Sequence, residues 1–345
     1  MSLLDLDRLD NEPGARLVAE SRAMGFSEAV ARRGLEAELQ AWSAPGALER
    51  VREELTGVDP ERYPQEVLII GAATLPVSTL RACLMARLLG ARVRLKPASG
   101  LDGLAHAIAA TDDAITADCF SSTDPESLER ALGSVETIVA LGSDETLLSI
   151  QRRVQPHQTF VGYGHRVSAA HLSQPDPNEL DDLAQDLLAW DGHGCLSPQV
   201  IWTDDAPEAT GRAVLEAVAR AERHLPFTPR PEMAHAHFIA EALGAMGGKV
   251  LKSATCTLVL SDDPAFMPTP GGRLVHVLPD RGAPWRDLGE TLSTLGQSRR
   301  SQASPSHETT RRCALGQMQR PPLDWPHDGH PNLLPMLRPA GSSSR

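Results

Sequence analysis

The strongest constraint on the fold is a pair of short, almost wholly apolar runs, each closed by glycine: Val67-Leu68-Ile69-Ile70-Gly71 and Thr137-Ile138-Val139-Ala140-Leu141-Gly142. Runs without polar alternation cannot keep one face in water. Each therefore reads as a strand covered on both faces, as in a parallel sheet sandwiched by helices. Between them the spacing predicts a helix over Val77 to Leu89 with Gly90 as its stop, a strand at Arg92 to Leu95 running into Lys96-Pro97-Ala98-Ser99-Gly100, a short helix from Leu101 to Ala110, and a helix from Pro125 to Leu132 capped by Asp124. Strand, helix, strand, helix, strand means a doubly wound α/β sheet. Ligands of such sheets bind beyond the carboxyl ends of the strands, which groups Gly71, Lys96, Gly142 and Ser143 around one crevice. The backbone N–H groups of Gly142-Ser143, at a predicted helix start, suit a phosphate, although a Gly-Ser there is commonly no more than a cap.

Strict phosphate-loop signatures are absent. Gly162-x-Gly164 has Val167 where a third glycine belongs, Gly192-x-Gly194 has Ser197, and Gly248-Lys249 has Leu243 where a P-loop needs its first glycine. Partners are narrowed by charge: 33 Lys+Arg against 45 Asp+Glu give a formal charge of −12, with no basic stripe to offset it, so nucleic acid and anionic membranes are repelled. No uncharged apolar run reaches membrane-spanning length, and acidic residues stand where a signal peptide needs basic ones. Five widely spaced cysteines form no C-x-x-C pair and read as thiols of a reducing cytoplasm.

One of the five stands apart. Cys195 lies in Asp191-Gly192-His193-Gly194-Cys195-Leu196-Ser197-Pro198-Gln199, between glycines at the end of a helical run. A thiolate attacks acyl carbonyls and leaves again readily, and flanking glycines let backbone N–H groups approach a developing oxyanion. This is acyl-transfer chemistry; the competing reading is a small buried hydrophobe in a turn. His165 and His193 are the candidates for handling protons near that sulfur. No metal site is expected: His235 and His237, with His224 and Glu232 nearby, are two apart on a predicted helix and point in different directions. His327-Asp328-Gly329-His330 reads as a packed turn, and Gln297 to Thr310 as a mobile loop.

The ordered set Gly71-Ala72-Ala73-Thr74-Leu75-Pro76, Leu95-Lys96-Pro97-Ala98-Ser99, Gly142-Ser143-Asp144-Glu145-Thr146, Gly162-Tyr163-Gly164-His165-Arg166-Val167-Ser168 and Gly194-Cys195-Leu196-Ser197-Pro198-Gln199 resembles the aldehyde dehydrogenase superfamily. More narrowly it resembles the LuxC-type acyl-CoA reductases, those of bacterial luminescence systems and their non-luminous relatives, from about residue 61 to 338, with Arg312 to Gly329 similar to the end of that family. Residues 1–60 mix polar and apolar positions at helical spacing, with a break at Pro45-Gly46, and read as an N-terminal helical arm. The resemblance implies an aldehyde-dehydrogenase-like α/β fold, with a dinucleotide-binding domain over 61–170 and a smaller α/β catalytic domain with a C-terminal segment over 171–345. It implies a cytoplasmic enzyme that reduces a fatty acyl-CoA, or an acyl group held by a partner acyl-protein synthetase or ligase, to the fatty aldehyde with NADPH, through a thioester on Cys195. Gly71, Lys96, Ser99, Gly142 and Ser143 would then hold the cofactor, Lys96 at the adenosine ribose and Gly142-Ser143 at the pyrophosphate.

Three departures sharpen these expectations. Thr74 stands where much of the superfamily has an asparagine whose amide helps hold the oxyanion; its hydroxyl offers one shorter donor. Ser99 replaces a glutamate with which NAD-using relatives hold the ribose hydroxyls, which favours NADPH. The stretch Phe160 to His165 lacks the glutamate that activates the deacylating water in aldehyde oxidisers, so an acyl-enzyme on Cys195 should hydrolyse slowly. The N-terminal part is shorter than usual for the family, so an oligomerisation arm is expected to be reduced or absent; a homo-oligomer stays open. Two alternatives also stay open: a cysteine-dependent acyl hydrolase or acyltransferase that uses no nucleotide, and a catalytically silent acyl-binding scaffold.

Overall fold

The computed structural model describes residues 3, 9–121, 123–228 and 231–340, with backbone only at 231–233. The chain divides into two compact units, one of residues 1–24, 38–165 and 322–345, the other of residues 25–37 and 166–321. Three helices open it: α1 (Glu12–Ala23), α2 (Glu28–Trp42) and α3 (Ala47–Glu53). The predicted break at Pro45-Gly46 falls between α2 and α3, where Gly46 takes a left-handed φ of 72° that a side chain would resist.

The first unit continues with β1 (Glu66–Ile70), α4 (Pro76–Leu88), β2 (Arg92–Lys96), α5 (Asp102–Ala109), β3 (Ile115–Ala117), α6 (Pro125–Gly133), β4 (Thr137–Leu141), α7 (Asp144–Gln151) and β5 (Thr159–Tyr163). Its sheet has the order β3-β2-β1-β4-β5, parallel throughout. The order reverses between β1 and β4, which makes the ends at Gly71 and Gly142 the switch point. As the unbroken apolar runs required, both faces are covered: Leu68, Ile70, Ile138 and Ala140 pack with Ala131, Leu132 and Ile150 on one side, while Val67, Ile69 and Val139 are buried on the other. Each such Leu or Ile contributes roughly 1.5–3 kcal/mol. Asp124 caps α6 through Ser127 N–H.

The second unit holds β6 (Val167–Leu172), α8 (Pro177–Leu188), β7 (Pro198–Thr203), α9 (Pro207–Ala221), α10 (Pro231–Ala245), β8 (Lys249–Lys252), β9 (Thr257–Leu260), β10 (Leu274–Pro279), β11 (Leu292–Gln297) and β12 (Arg311–Ala314). They form a seven-stranded sheet in the order β12-β11-β6-β7-β10-β9-β8, parallel except for β8 against β9. Ala169, Val200, Trp202, Leu278, Trp285 and Leu295 fill one face. Residues 298–310 have no regular structure; Trp285 Nε1–H donates to Ser304 O at 3.2 Å and Ser173 N–H to Ser298 Oγ at 2.9 Å.

The sequence grouped the C-terminal segment with residues 171–345. In the structure residues from Pro322 onward belong to the first unit, because Thr137 Oγ1–H and Thr159 Oγ1–H donate to Met336 O and Leu337 O, each at 2.8 Å, and Arg338 pairs with Glu136. Among the described residues no helix is long and apolar enough to cross a membrane.

Candidate active site

In the first unit the carboxyl ends of β1, β2 and β4 carry the residues expected around a nucleotide. Gly71 N–H donates to Lys96 O at 2.9 Å, tying the ends of β1 and β2 together, and Ala72 N–H donates to Thr79 Oγ1 at 3.2 Å. A Cβ on Gly71 would stand 3.0 Å from Thr79 Oγ1, so the close approach of turn and helix needs glycine there. Lys96 is buried with its ammonium 5.6 Å from the Phe120 ring centroid; burial pulls its pKa below the ordinary lysine value, only partly opposed by Asp102. Pro97, Ala98, Leu101 and Leu104 line a small open hollow beside it. Ser99 and Thr74 are exposed, Thr74 in the turn that leads into α4.

Gly142 and Ser143 sit between β4 and α7. Ser143 caps α7, its Oγ accepting from Thr146 N–H at 3.3 Å, and Gly142 N–H is already engaged by Tyr163 O at 3.2 Å. An anion here would therefore meet Ser143 and the first turn of α7 and not Gly142. Asp144 holds the neighbouring loop: its Oδ1 accepts from His165 N–H at 3.1 Å, and a Cβ on Gly164 would lie 2.4 Å from that oxygen. His165 is exposed. His327, expected in a packed turn, stacks on Tyr163 with centroids 4.5 Å apart.

In the second unit Cys195 is half-buried in a turn that leads into β7. The chain reaches it through an unusual stretch. Trp190 and Asp191 both take left-handed φ values, 50° and 54°, followed by Gly192 at 72°. Two consecutive non-glycine residues in this region cost roughly 1–2 kcal/mol each. The surrounding contacts that impose it were not legible in the sequence. Asp191 and Arg273 are both fully buried, and Arg273 Nε and Nη2 donate to Asp191 Oδ1 at 3.0 and 2.7 Å. Arg273 N–H also donates to Asp191 O at 3.0 Å, while Nη1 reaches Thr255 Oγ1 and Nη2 reaches Leu225 O. A Cβ on Gly192 would press on Arg273 N at 3.1 Å. The pair thus stitches the lead-in of β7 to that of β10. The only hints were Gly271-Gly272 before Arg273 and Gly192 after Asp191; nothing in an 82-residue separation pairs them.

The turn itself is fixed from both sides. Ser168 Oγ–H donates to Cys195 O at 2.6 Å, Ser197 N–H to Gly194 O at 3.2 Å, Ser197 Oγ–H to His193 O at 2.6 Å, and Gln319 Nε2–H to Ser197 Oγ at 2.8 Å. His193 is half-buried, its ring edge-on to Phe26 at 6.3 Å. Because Gly194 between them has a φ of 96°, His193 and Cys195 do not follow strand alternation, and the argument that would put them on one face does not apply. Two of the other thiols differ in kind: Cys83 and Cys256 are buried, and burial pushes the Cys256 thiol up to about 12.

Beside this turn, Arg33, Gly34, Gln185, Asp186, Trp190 and Arg320 border a small open hollow. A Cβ on Gly34 would collide with the Trp190 ring at 2.2 Å. Asp186 accepts from Gly316 N–H and Met318 N–H at 2.6 and 3.1 Å, but burial outweighs these donors and pushes its carboxyl up to about 7.

With this geometry in view, comparison with known proteins gives a consistent result. Residues 111–339 match the model of the family described as acyl-CoA reductase (LuxC). The chain belongs to the LuxC acyl-CoA reductase family, oxidoreductases that act on acyl or aldehyde groups. Its fold is that of the aldehyde dehydrogenases. Similar solved structures include an NADP-dependent glyceraldehyde-3-phosphate dehydrogenase from Bacillus halodurans C-125 complexed with NADP, with TM-score 0.68 and 13% identity over 98% of this chain and 83% of that one. A succinic semialdehyde dehydrogenase from Streptococcus pyogenes in complex with NADP+ gives TM-score 0.69 and 12% identity over 90% of this chain and 79% of that one. An NAD-dependent aldehyde dehydrogenase from Sinorhizobium meliloti gives 0.64 and 16%, over 88% and 71%. No curated protein sequence matches the chain significantly.

Proposed function

We propose that the protein reduces a fatty acyl-CoA thioester to the fatty aldehyde with NADPH, through an acyl thioester on Cys195. The observation that carries this reading is the Cys195 turn: a half-buried thiol whose backbone is fixed by Ser168 and Ser197 and whose approach is held left-handed by a buried ion pair. A nucleophile needs a backbone that does not recoil when its own N–H must meet an oxyanion. Cys195 Sγ attacks the thioester carbonyl, and the CoA thiolate leaves with a proton from solvent or from His193. A bound reduced nicotinamide supplies the hydride. The thiohemiacetal left on Cys195 collapses to aldehyde, returning the thiolate.

The first unit's residues fit a phosphate-bearing nucleotide: a buried Lys96 at the end of β2, glycine where backbone must come close at Gly71, and the N-terminal turn of α7 at the switch point. Asp144 and Glu145 in that turn oppose anion binding there, so Lys96 has the larger share of the attraction. The exposed Ser99, without a carboxylate, supports NADPH over NADH. The acyl donor is taken to be CoA, with an acyl-protein partner as the other candidate; Thr74 and His165 are proposed as auxiliary donors during reduction.

The test is intact-mass spectrometry after incubation with a long-chain acyl-CoA and no reductant, followed by addition of NADPH. One acyl adduct on the wild-type chain, absent from Cys195→Ala, should be discharged as aldehyde when NADPH is added. An equal adduct on Cys195→Ala refutes the nucleophile. Release as free acid before NADPH is added, as fast as the reductive turnover, would return the hydrolase reading to first place.

A further inference from the structure

At the carboxyl ends of the strands of the second sheet, opposite the Cys195 turn, three adjacent parallel strands bring metal-ligating side chains to one point. His171 lies on β6, Asp204 directly follows β7 and Asp280 directly follows β10. In register His171 pairs with Trp202 and Trp202 with Leu278, so Asp204 and Asp280, each two residues further on, share the sheet face of His171. His171 Nε2 is 3.1 Å from Asp280 Oδ2 and 3.6 Å from Asp204 Oδ1, and the three ligand atoms all lie within 4.8 Å of one another. Cis ligands about 2.1 Å from a metal are about 3.0 Å apart in an octahedron and about 3.4 Å apart in a tetrahedron, so small rotations suffice to close the set.

Two of the three are aimed from outside the cluster. Asp280 Oδ1 accepts from Ala283 N–H at 2.9 Å, which turns Oδ2 toward the common point. His171 is 2% exposed, wedged edge-on against Trp285 at 4.7 Å, with Nδ1 2.7 Å from Ser301 Oγ. The serine hydroxyl can accept from Nδ1–H, in which case Nε2 presents its lone pair. Among the described residues no lysine or arginine forms an ion pair with either carboxylate, so two negative charges share one point with a single imidazole. The Asp204 side chain, 46% exposed, leaves a path for entry.

We propose that His171, Asp204 and Asp280 bind a first-row divalent cation, with water completing its shell. One imidazole among carboxylates selects this class over Mg²⁺ or Ca²⁺, which take oxygen donors. On binding, Nε2 gives its lone pair to the ion, a proton it carried leaves to solvent or moves to Nδ1, and Nδ1–H donates to Ser301 Oγ. Strand β7 separates the site from Cys195 by roughly 20 Å at about 3.3 Å per residue, so the ion is a clamp on strand ends and on the Ser301 loop, not a participant at the sulfur.

The test uses the full chain, stripped with chelator, desalted and titrated with Mn²⁺, the unbound aquo ion being followed by electron paramagnetic resonance. Expected is one Mn²⁺ per chain with Kd below about 100 μM, and a Tm raised by about 2–4 °C at tenfold Kd. Asp204→Asn, at a half-exposed position that leaves folding intact, should weaken binding at least about tenfold, and Asp280→Asn should do so more strongly. Absence of saturable binding up to about 1 mM, or binding within about twofold of wild type in Asp204→Asn, overturns the proposal.

Discussion

Replacing Arg273 by glutamine removes one half of a pair that no water reaches. Asp191 is then a fully buried carboxylate without the guanidinium whose Nε and Nη2 donate to its Oδ1. Breaking such a pair from one side costs about 3–5 kcal/mol. Two further losses follow from the contacts of the same guanidinium, to Thr255 Oγ1 and Leu225 O, at about 1 kcal/mol each where the acceptor stays buried. Part of this is recovered, because the left-handed Trp190 and Asp191 can relax once the pair is gone, returning roughly 2–4 kcal/mol of strain. The net expectation is a loss of about 1–5 kcal/mol in the unfolding of the second unit, read by urea denaturation with Trp190, Trp202 and Trp285 as fluorescent reporters. The relaxed turn should also slow acylation of Cys195 by at least about tenfold, while binding of nucleotide by the first unit stays unchanged. The double variant Asp191→Asn/Arg273→Gln should lose less than the sum of the two singles, since neither charge is then stranded. A stability loss under about 1 kcal/mol, or an acylation rate within about twofold of wild type, would show that the pair does not hold the turn.

Two further outcomes follow from single residues. Asp186 has a folded pKa raised to about 7 against about 3.8 when unfolded, so the folded chain binds the extra proton between these values; stability is greatest below about pH 4 for this group, falls as pH rises to about 7 and levels off above, by about 4 kcal/mol in all. Asp186→Asn should flatten that slope in urea titrations from pH 5 to 8, and an unchanged slope would assign it to another group. Ser99→Glu places a carboxylate at an exposed position beside the proposed ribose phosphate; between water-like and intermediate dielectric this costs about 1–4 kcal/mol, so KM for NADPH should rise at least about fivefold while KM for NADH changes little. Equal effects on both cofactors would separate Ser99 from the phosphate.

What the sequence could disclose depended on how local the cause was. Strands β1 and β4 were legible because burial on both faces leaves an unbroken apolar run, and α6 because Asp124 and Pro125 mark its start within two residues. Strand β3, three residues long, has too few positions to show any period, and β8, at the sheet edge, is of mixed polarity. In the site, Cys195 could be singled out since its glycines are its neighbours, and Gly71, Lys96 and Ser143 since each terminates a readable strand. Arg273 could not, because its partners Asp191, Leu225 and Thr255 are set by the fold and not by neighbouring sequence, and neither ionic residue's surroundings advertise a buried charge. The contacts of Ser168 and Gln319 with the Cys195 turn were hidden for the same reason: they arise from sheet order, in which β6 lies beside β7 and residues near 319 return to their entrance.

The return of residues 322–338 to the first unit sets an order of events during synthesis. Everything in that unit's sheet has been made by residue 163, yet the carbonyls of Met336 and Leu337 that receive the Thr137 and Thr159 hydroxyls, and the Arg338 that pairs with Glu136, are made only after the whole of residues 166–321. At about 5–20 residues per second the delay is roughly ten to thirty seconds. For that interval the entry ends of β4 and β5 lack the segment that accepts their threonine hydroxyls in the folded chain, so the sheet reaches its final edges only once the last residues are made.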